Sequence, residues 1–192
     1  KNTNTYGDLS PIYKDNKDHM FLGSLIYDIK YPLIKKSITN TSFLTPKASL
    51  RFSPYGSYNF RDEKIRVTYQ DLFSIDRINN KTIEDGSSAT FGLEYDLKDK
   101  VGSDKFKLGI GANFRNNIDD DLPLSSSLGQ KTSDLIGYSG INITDNLAIN
   151  YNFSIDQNLN ETNYSLISAN YNTNKLRTTF EYMEKSKFIG DE

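Results

Sequence analysis

Few side chains in this sequence could carry covalent chemistry. There is no cysteine and only one histidine among the 192 residues. That excludes thiol nucleophiles, disulfides and cysteine-based zinc or redox sites. His19 stands among Asp15, Asn16, Lys17, Asp18 and Met20, a setting that predicts a solvated loop residue. Asp119-Asp120-Asp121 offers clustered oxygens of the kind hard cations favour, but the spacing is not that of an EF-hand, and an acidic loop tip accounts for it. Gly92, Gly109 and Gly111 precede no helix, so they are not a phosphate-cradling loop. The Asn-x-Ser/Thr matches at Asn80-Lys81-Thr82 and Asn142-Ile143-Thr144 follow from the abundance of asparagine. No enzyme, metal site or cofactor is expected. The chemistry on offer is ionic. Lys64, Arg66, Lys105, Lys107, Arg115 and Arg177 are the candidate ligand- or partner-binding residues. Cations spaced along one strand face can engage phosphate groups or an acidic surface through charge-assisted contacts.

The elements that must position these cations follow from a repeated period of two. Phe91, Leu93, Tyr95 and Leu97 alternate with Thr90, Gly92, Glu94 and Asp96. Phe106, Leu108, Ile110, Ala112 and Phe114 alternate with Lys105, Lys107, Gly109, Gly111, Asn113 and Arg115. Leu147, Ile149, Tyr151, Phe153 and Ile155 do the same, as do Leu25, Tyr27, Ile29 and Tyr31. Shorter runs are Ala48, Leu50, Phe52; Ile65, Val67, Tyr69; Ile167, Ala169, Tyr171; and Thr178, Phe180, Tyr182. Ser133 to Ile143 carries apolar residues on both parities and is ambiguous. No segment holds a helical period over three turns. About nine strands are expected.

Several runs are about 9–11 residues long, the length of a tilted strand crossing a bilayer. The links alternate in length as outer-membrane barrel turns do: long from Asp71 to Ser87, short from Asp99 to Asp104, long from Asn116 to Thr132, short at Thr144-Asp145-Asn146. The link from Pro54 to Asp62 breaks the phase, because it should be short. The fold class expected is all-β, an antiparallel transmembrane barrel meander forming one domain over 1–192. Residue 1 is Lys and no basic–apolar–small signal-peptide pattern follows it, and Phe188 to Glu192 follows a strand-like segment without a closing element. An incomplete arc of a larger barrel is therefore expected.

Composition agrees. A hydrophobic fraction of 36% and a mean hydropathy of −0.62 suit a wall in which only alternate residues face lipid. No apolar run is long enough for a helical span. The 13 Tyr and 11 Phe favour strands and membrane interfaces. A net charge of −2 with mixed signs is no nucleic-acid footprint. The polar strand face carries Lys30, Arg51, Lys64, Arg66, Lys105, Lys107, Arg115 and Arg177 with Asp28, Glu94, Asp96, Asp156 and Glu181. In a barrel it faces the lumen. It either hydrates the lumen and pairs across strands, or binds ligand.

The stretch Gln70-Asp71-Leu72-Phe73-Ser74-Ile75-Asp76-Arg77, followed by Ile83-Glu84-Asp85-Gly86 and Thr90-Phe91-Gly92-Leu93, resembles the LptD family. Tyr31-Pro32-Leu33, Leu44-Thr45-Pro46-Lys47 and Phe52-Ser53-Pro54 stand in the family's order upstream, and Ser133-Asp134-Leu135-Ile136-Gly137 downstream. The chain departs from the family's motif at Asn79 and Lys81-Thr82. The resemblance spans about Leu22 to Tyr182. It implies the outer membrane of a Gram-negative bacterium and a transporter that inserts lipopolysaccharide into the outer leaflet. It implies three partners: lipopolysaccharide, the plug lipoprotein LptE, and periplasmic Lpt bridge components reached through regions outside this chain. The basic lumen residues would then touch the plug or lipopolysaccharide phosphates. The alternatives are a small porin-like or structural barrel, and a soluble carbohydrate-binding β-sandwich.

Overall fold

The computed structural model describes residues 23–54, 59–78 and 84–186. His19, Asn80-Lys81-Thr82 and the end from Phe188 to Glu192 lie outside them. The strands are β1 (Leu25–Lys30), β2 (Leu33–Lys36), β3 (Asn40–Ser53), β4 (Gly86–Asp99), β5 (Asp104–Arg115), β6 (Leu135–Thr144), β7 (Leu147–Ile155), β8 (Thr162–Asn172) and β9 (Arg177–Lys185). They form one antiparallel sheet in the order β1-β3-β4-β5-β6-β7-β8-β9, with β2 also on β3. Among the described residues β1 and β9 do not pair, so the sheet is open.

β1 and β2 are one sheet position interrupted at Tyr31-Pro32, since both pair with β3. Across the break the Tyr31 amide donates to the Pro46 carbonyl at 3.1 Å. Proline has no N–H to give a ladder, and Pro46 sits where its neighbouring strand is itself broken. That lets β3 run for 14 residues through a proline.

The period-two reading holds where pairing is regular. Leu93 faces Ile110 and Tyr95 faces Leu108. Ile110 continues to Gly137 and Phe153, and Leu108 to Ser139 and Tyr151. Directly paired residues share a face, so Leu93, Tyr95, Leu108, Ile110, Ile149 and Tyr151 lie on one side and Glu94 on the other. The apolar side is bare: Leu25 is 71% exposed, Phe91 53% and Phe180 64%. On this outer face, charge among paired strand residues occurs only near strand ends, at Lys35, Asp99 and Glu184.

Two expectations need correction. Ile65, Val67 and Tyr69 form no strand. Their alternation is real, but it packs Val67 and Tyr69 into a core in the middle of one long connection from 54 to 85. The ninth strand is instead β2, too short and lysine-rich to announce itself. Removing the false strand also restores the phase of the links: the Pro54–Asp62 link is the opening of one long connection. The ambiguous stretch becomes β6. Its apolar residues alternate sides, with Ile136 under the connections and Leu135, Ile141 and Ile143 outside.

The core lies on the inner face and is supplied mostly by connections. It comprises Val67, Tyr69, Leu72, Ile78, Leu122, Leu128 and Ile136, with Ile65, Phe73 and Tyr138 against it. Only Ile136 of the buried seven comes from a strand. The segment 59–78, here the strap, crosses the inner wall. Its floor is glycine: an added Cβ at Gly92 would lie 2.7 Å from the Phe73 ring, at Gly109 3.0 Å from that of Tyr69, and at Gly111 3.3 Å from Leu72 Cδ1. The strap is tied to the β5–β6 connection by Phe60 N–H to Asp121 O at 2.7 Å, Leu124 N–H to Arg61 O at 3.1 Å and Ser125 Oγ to Ile65 O at 2.8 Å.

Replacing Gly111 by Val should lower stability by about 1–3 kcal/mol through overpacking, because its Cβ would also stand 2.9 Å from the Phe91 carbonyl oxygen, which cannot move aside cheaply. Gly23→Ala, with open space around it, should change the denaturant midpoint little. Equal midpoints for the two variants would contradict the close fit of strap and wall.

Candidate functional site

The strap is fixed by a buried cluster of opposite charges where β3, β4 and β5 meet the long connections. Gly86 enters β4 with φ +76°, a left-handed conformation that glycine adopts without steric cost. The chain thereby turns into the wall just after Glu84. The Arg77 guanidinium forks onto Glu84: Nε donates to Oε1 and Nη2 to Oε2. The remaining Arg77 donors reach Leu72 O and Thr90 Oγ1, both at 3.1 Å, Ser88 Oγ at 3.2 Å and Asn113 Oδ1 at 3.0 Å. Arg115 on β5 meets the same carboxylate, Nη1 to Oε2 at 2.9 Å, and also bonds Asp85 O and Asp119 Oδ2. Arg51 on β3 holds the strap backbone by donating to the carbonyls of Ser74 and Ile75. Arg77 is 4% exposed and Glu84 2%. Burial by itself would raise the Glu84 carboxyl, but Arg77, with Arg51 and Arg115, outweighs it and holds the group below the ordinary carboxylate range.

A second attachment lies beside the first. Lys47 Nζ pairs with Glu94 at 2.9 Å and sits 4.3 Å from the centre of the Phe73 ring. A third spans to the far side of the sheet, where the Arg66 guanidinium lies 4.0 Å over the Tyr164 ring on β8. Arg66 also lines a cavity of about 430 Å³ with Asp134, Asp156, Gln157, Asn158 and Asn163. The Asp134 carboxylate there accepts from Ser154 Oγ at 2.6 Å and Asn163 Nδ2 at 2.9 Å.

The six candidate cations fall into three places. Lys64 and Arg66 belong to the strap, with Lys64 exposed. Lys105, Lys107 and Arg115 share one face of β5, but eight residues of strand put Lys107 and Arg115 about 26 Å apart. Arg115 is sealed in the cluster, whereas Lys107 pairs with Asp104 at 2.7 Å and Lys105 with Asp99 at 3.5 Å, both near the short β4–β5 turn. Arg177 joins Lys105 in lining a depression of about 400 Å³ with Asp104, Asn142, Asp145 and Asn170. Asp119 and Asp120 bond Arg115 and Arg61. Sequence reasoning missed Arg77 and Glu84 as a pair. The signal available was an oppositely charged pair in a polar link, seven residues apart, within the very stretch that carries the family resemblance.

Glu84→Gln should leave Arg77 without a counter-charge and Arg115 with Asp119 alone, and cost about 3–5 kcal/mol. Limited proteolysis should then cut within 59–78, and an uncut strap would contradict this role for Glu84. The pH dependence has a definite sign. Because the folded carboxyl titrates below its ordinary value of 4.5, its contribution is complete above that value and is lost as pH falls through the lower folded value. Acid titration of strap accessibility should show this step in the wild type and not in Glu84→Gln.

The family comparison covers all nine strands of the described residues. The family model for LPS transport system D matches residues 23–191. The LPS-assembly protein LptD of Acinetobacter baylyi is 29% identical over a stretch that is 45% of this chain and 12% of that protein. The chain thus spans well under two thirds of that relative's length. An all-β antiparallel meander, a motif turned into a buried clasp and a match over nearly the whole chain lead to one assignment: the chain belongs to the LptD family of lipopolysaccharide transport proteins.

Proposed function

We propose that this chain is an arc of a larger outer-membrane barrel that delivers lipopolysaccharide into the outer leaflet. The observation that carries the reading is the division of the sheet into two unlike faces. The outer face is largely apolar, with charge among paired strand residues only near strand ends, and a contiguous exposed apolar surface calls for a nonaqueous neighbour. The inner face is polar and is covered by the strap in the middle of the sheet, around β3, β4 and β5, which suits a wall lining a plugged lumen better than an open water channel. In this reading the short turns face the periplasm and the long connections face outside. The open edges at β1 and β9 continue into neighbouring strands, which removes an aggregation liability. Lipopolysaccharide arrives from a periplasmic bridge, and a plug lipoprotein corresponding to LptE lies against the inner wall.

Among the candidate cations, Lys105, Lys107 and Arg177 are the proposed contacts for lipopolysaccharide phosphates or the acidic surface of the plug protein. They stand toward the short-turn end, and the ion pairs of the two lysines are partly exposed. Partly exposed pairs exchange partners at little cost. Arg115 serves the clasp instead. Lys64 and Arg66 would act from the strap.

Two measurements test this. In the full-length protein, Tyr151→Arg on the outer face should cost about 2–4 kcal/mol near the bilayer midplane and impair barrel assembly, whereas Asn152→Arg on the inner face should assemble. Equal assembly would remove the membrane reading. Lys105→Glu with Lys107→Glu should weaken crosslinking to lipopolysaccharide or copurification of the plug lipoprotein, and Asn116→Glu with Asn117→Glu should do neither. Unchanged crosslinking and copurification in the lysine variant would leave these charges as lumen solvation.

A further inference from the structure

The strap is attached to the wall by two kinds of contact with unlike properties. Its apolar underside lies on Gly92, Gly109 and Gly111. The strap side chains lie close against the wall there, but no side chain rises from these three positions to interlock with them, so lifting the strap requires no wall side chain at the floor to move aside. The directional attachments are made by cations, with the ionic ones concentrated around Glu84 and single cation–ring contacts at Phe73 and Tyr164. A buried ion pair adds little net stability over apolar residues of the same volume, because both groups give up hydration to form it. The same fact makes it suited to release, since both groups regain hydration when it opens. The two partners also belong to different bodies. Glu84 stands two residues before β4 and is held by Arg115 of β5 at 2.9 Å, so it stays with the wall. Arg77 travels with the strap. Opening would therefore leave Arg115 with its counter-charge and send Arg77 into water.

We propose that the strap is a detachable inner plug, held closed by the Arg77–Glu84 clasp and lifted off the glycine floor during delivery. This rests on the transport reading above. The bonds to 121–125 carry that part of the β5–β6 connection along with the strap, while Lys47 on Phe73, Arg66 on Tyr164 and Arg51 on the Ser74 and Ile75 carbonyls are the contacts that must part with the clasp. A strap meant only to brace the wall would be served as well by an apolar staple at the same place.

The test uses the full-length protein in its assembled complex. Amide hydrogen exchange of residues 63–78 is followed with and without a supply of lipopolysaccharide. Exchange should be at least about tenfold faster with supply. The second arm replaces the clasp by apolar residues, Arg77→Met with Glu84→Leu. This variant should keep a protected strap yet deliver lipopolysaccharide to the surface at least about tenfold more slowly. Delivery at the wild-type rate with the strap still protected overturns the proposal, and so does wild-type delivery with strap exchange unchanged. Either outcome leaves the transport reading standing. If the double variant does not assemble, the wild-type exchange decides by itself: acceleration with supply supports release, and unchanged protection during delivery overturns it. Failure of the wild type to deliver at all overturns the transport reading itself, and the release with it.

Discussion

The structure depends on one carboxylate. Glu84 is the acidic group on which Arg77 and Arg115 converge, and with Arg51 close by it stands against an excess of buried positive charge. An isolated buried guanidinium is prohibitively costly, so the arginines are tolerable only with Glu84 ionised and in place. Glu84 in turn is placed by Gly86, which turns the chain into β4. The polar wall residues around the pair complete the arrangement: Ser88, Thr90 and Asn113 accept from Arg77. Positions that look like ordinary lumen polarity are in fact the hydrogen-bonding shell of the clasp.

This inverts the usual relation between sheet and connection. In a soluble β-protein the strands bury one face against each other and the connections run over the surface. Here the connections contribute most of the buried apolar side chains, and the sheet's own apolar residues are turned outward. The inner wall supplies glycines and hydroxyls, while the strap supplies Tyr69, Leu72 and Phe73. Each half fits only the other. Under the proposed function, a sheet with its apolar face bare and its polar face covered around β3, β4 and β5 serves as a wall between lipid and a plugged lumen.

The candidate cations separate by environment. Lys105, Lys107 and Arg177 sit at the short-turn end, where the two lysines have partly exposed carboxylate partners. Arg115, on the same face of the same strand as the two lysines, is committed to Glu84 and Asp119. Parity along a strand fixes which side a residue faces, and it says nothing about what covers that side. That is why one face of β5 holds both solvated charges and a sealed one.

The sequence by itself determined what depends on nearest neighbours along the chain. Alternation assigned β4, β5 and β7 to their faces, because the pleat has a period of two whatever the partner strand. The same alternation, repeated with turns between, announced an antiparallel meander, which the pairing bears out. The stretch from Leu72 to Leu93 pointed to the family, and the family model agrees. The tertiary structure decided the rest. Ile65, Val67 and Tyr69 alternate like a strand, but the connection that holds them is folded onto a glycine floor, and a core contact was mistaken for a pleat. β2 is too short to register until β3 pairs with it. Arg77 and Glu84 lie in a polar link, where charges are ordinarily solvated. Only the return of that link onto β4 and β5 brings them together and excludes water, and no local pattern encodes that closure.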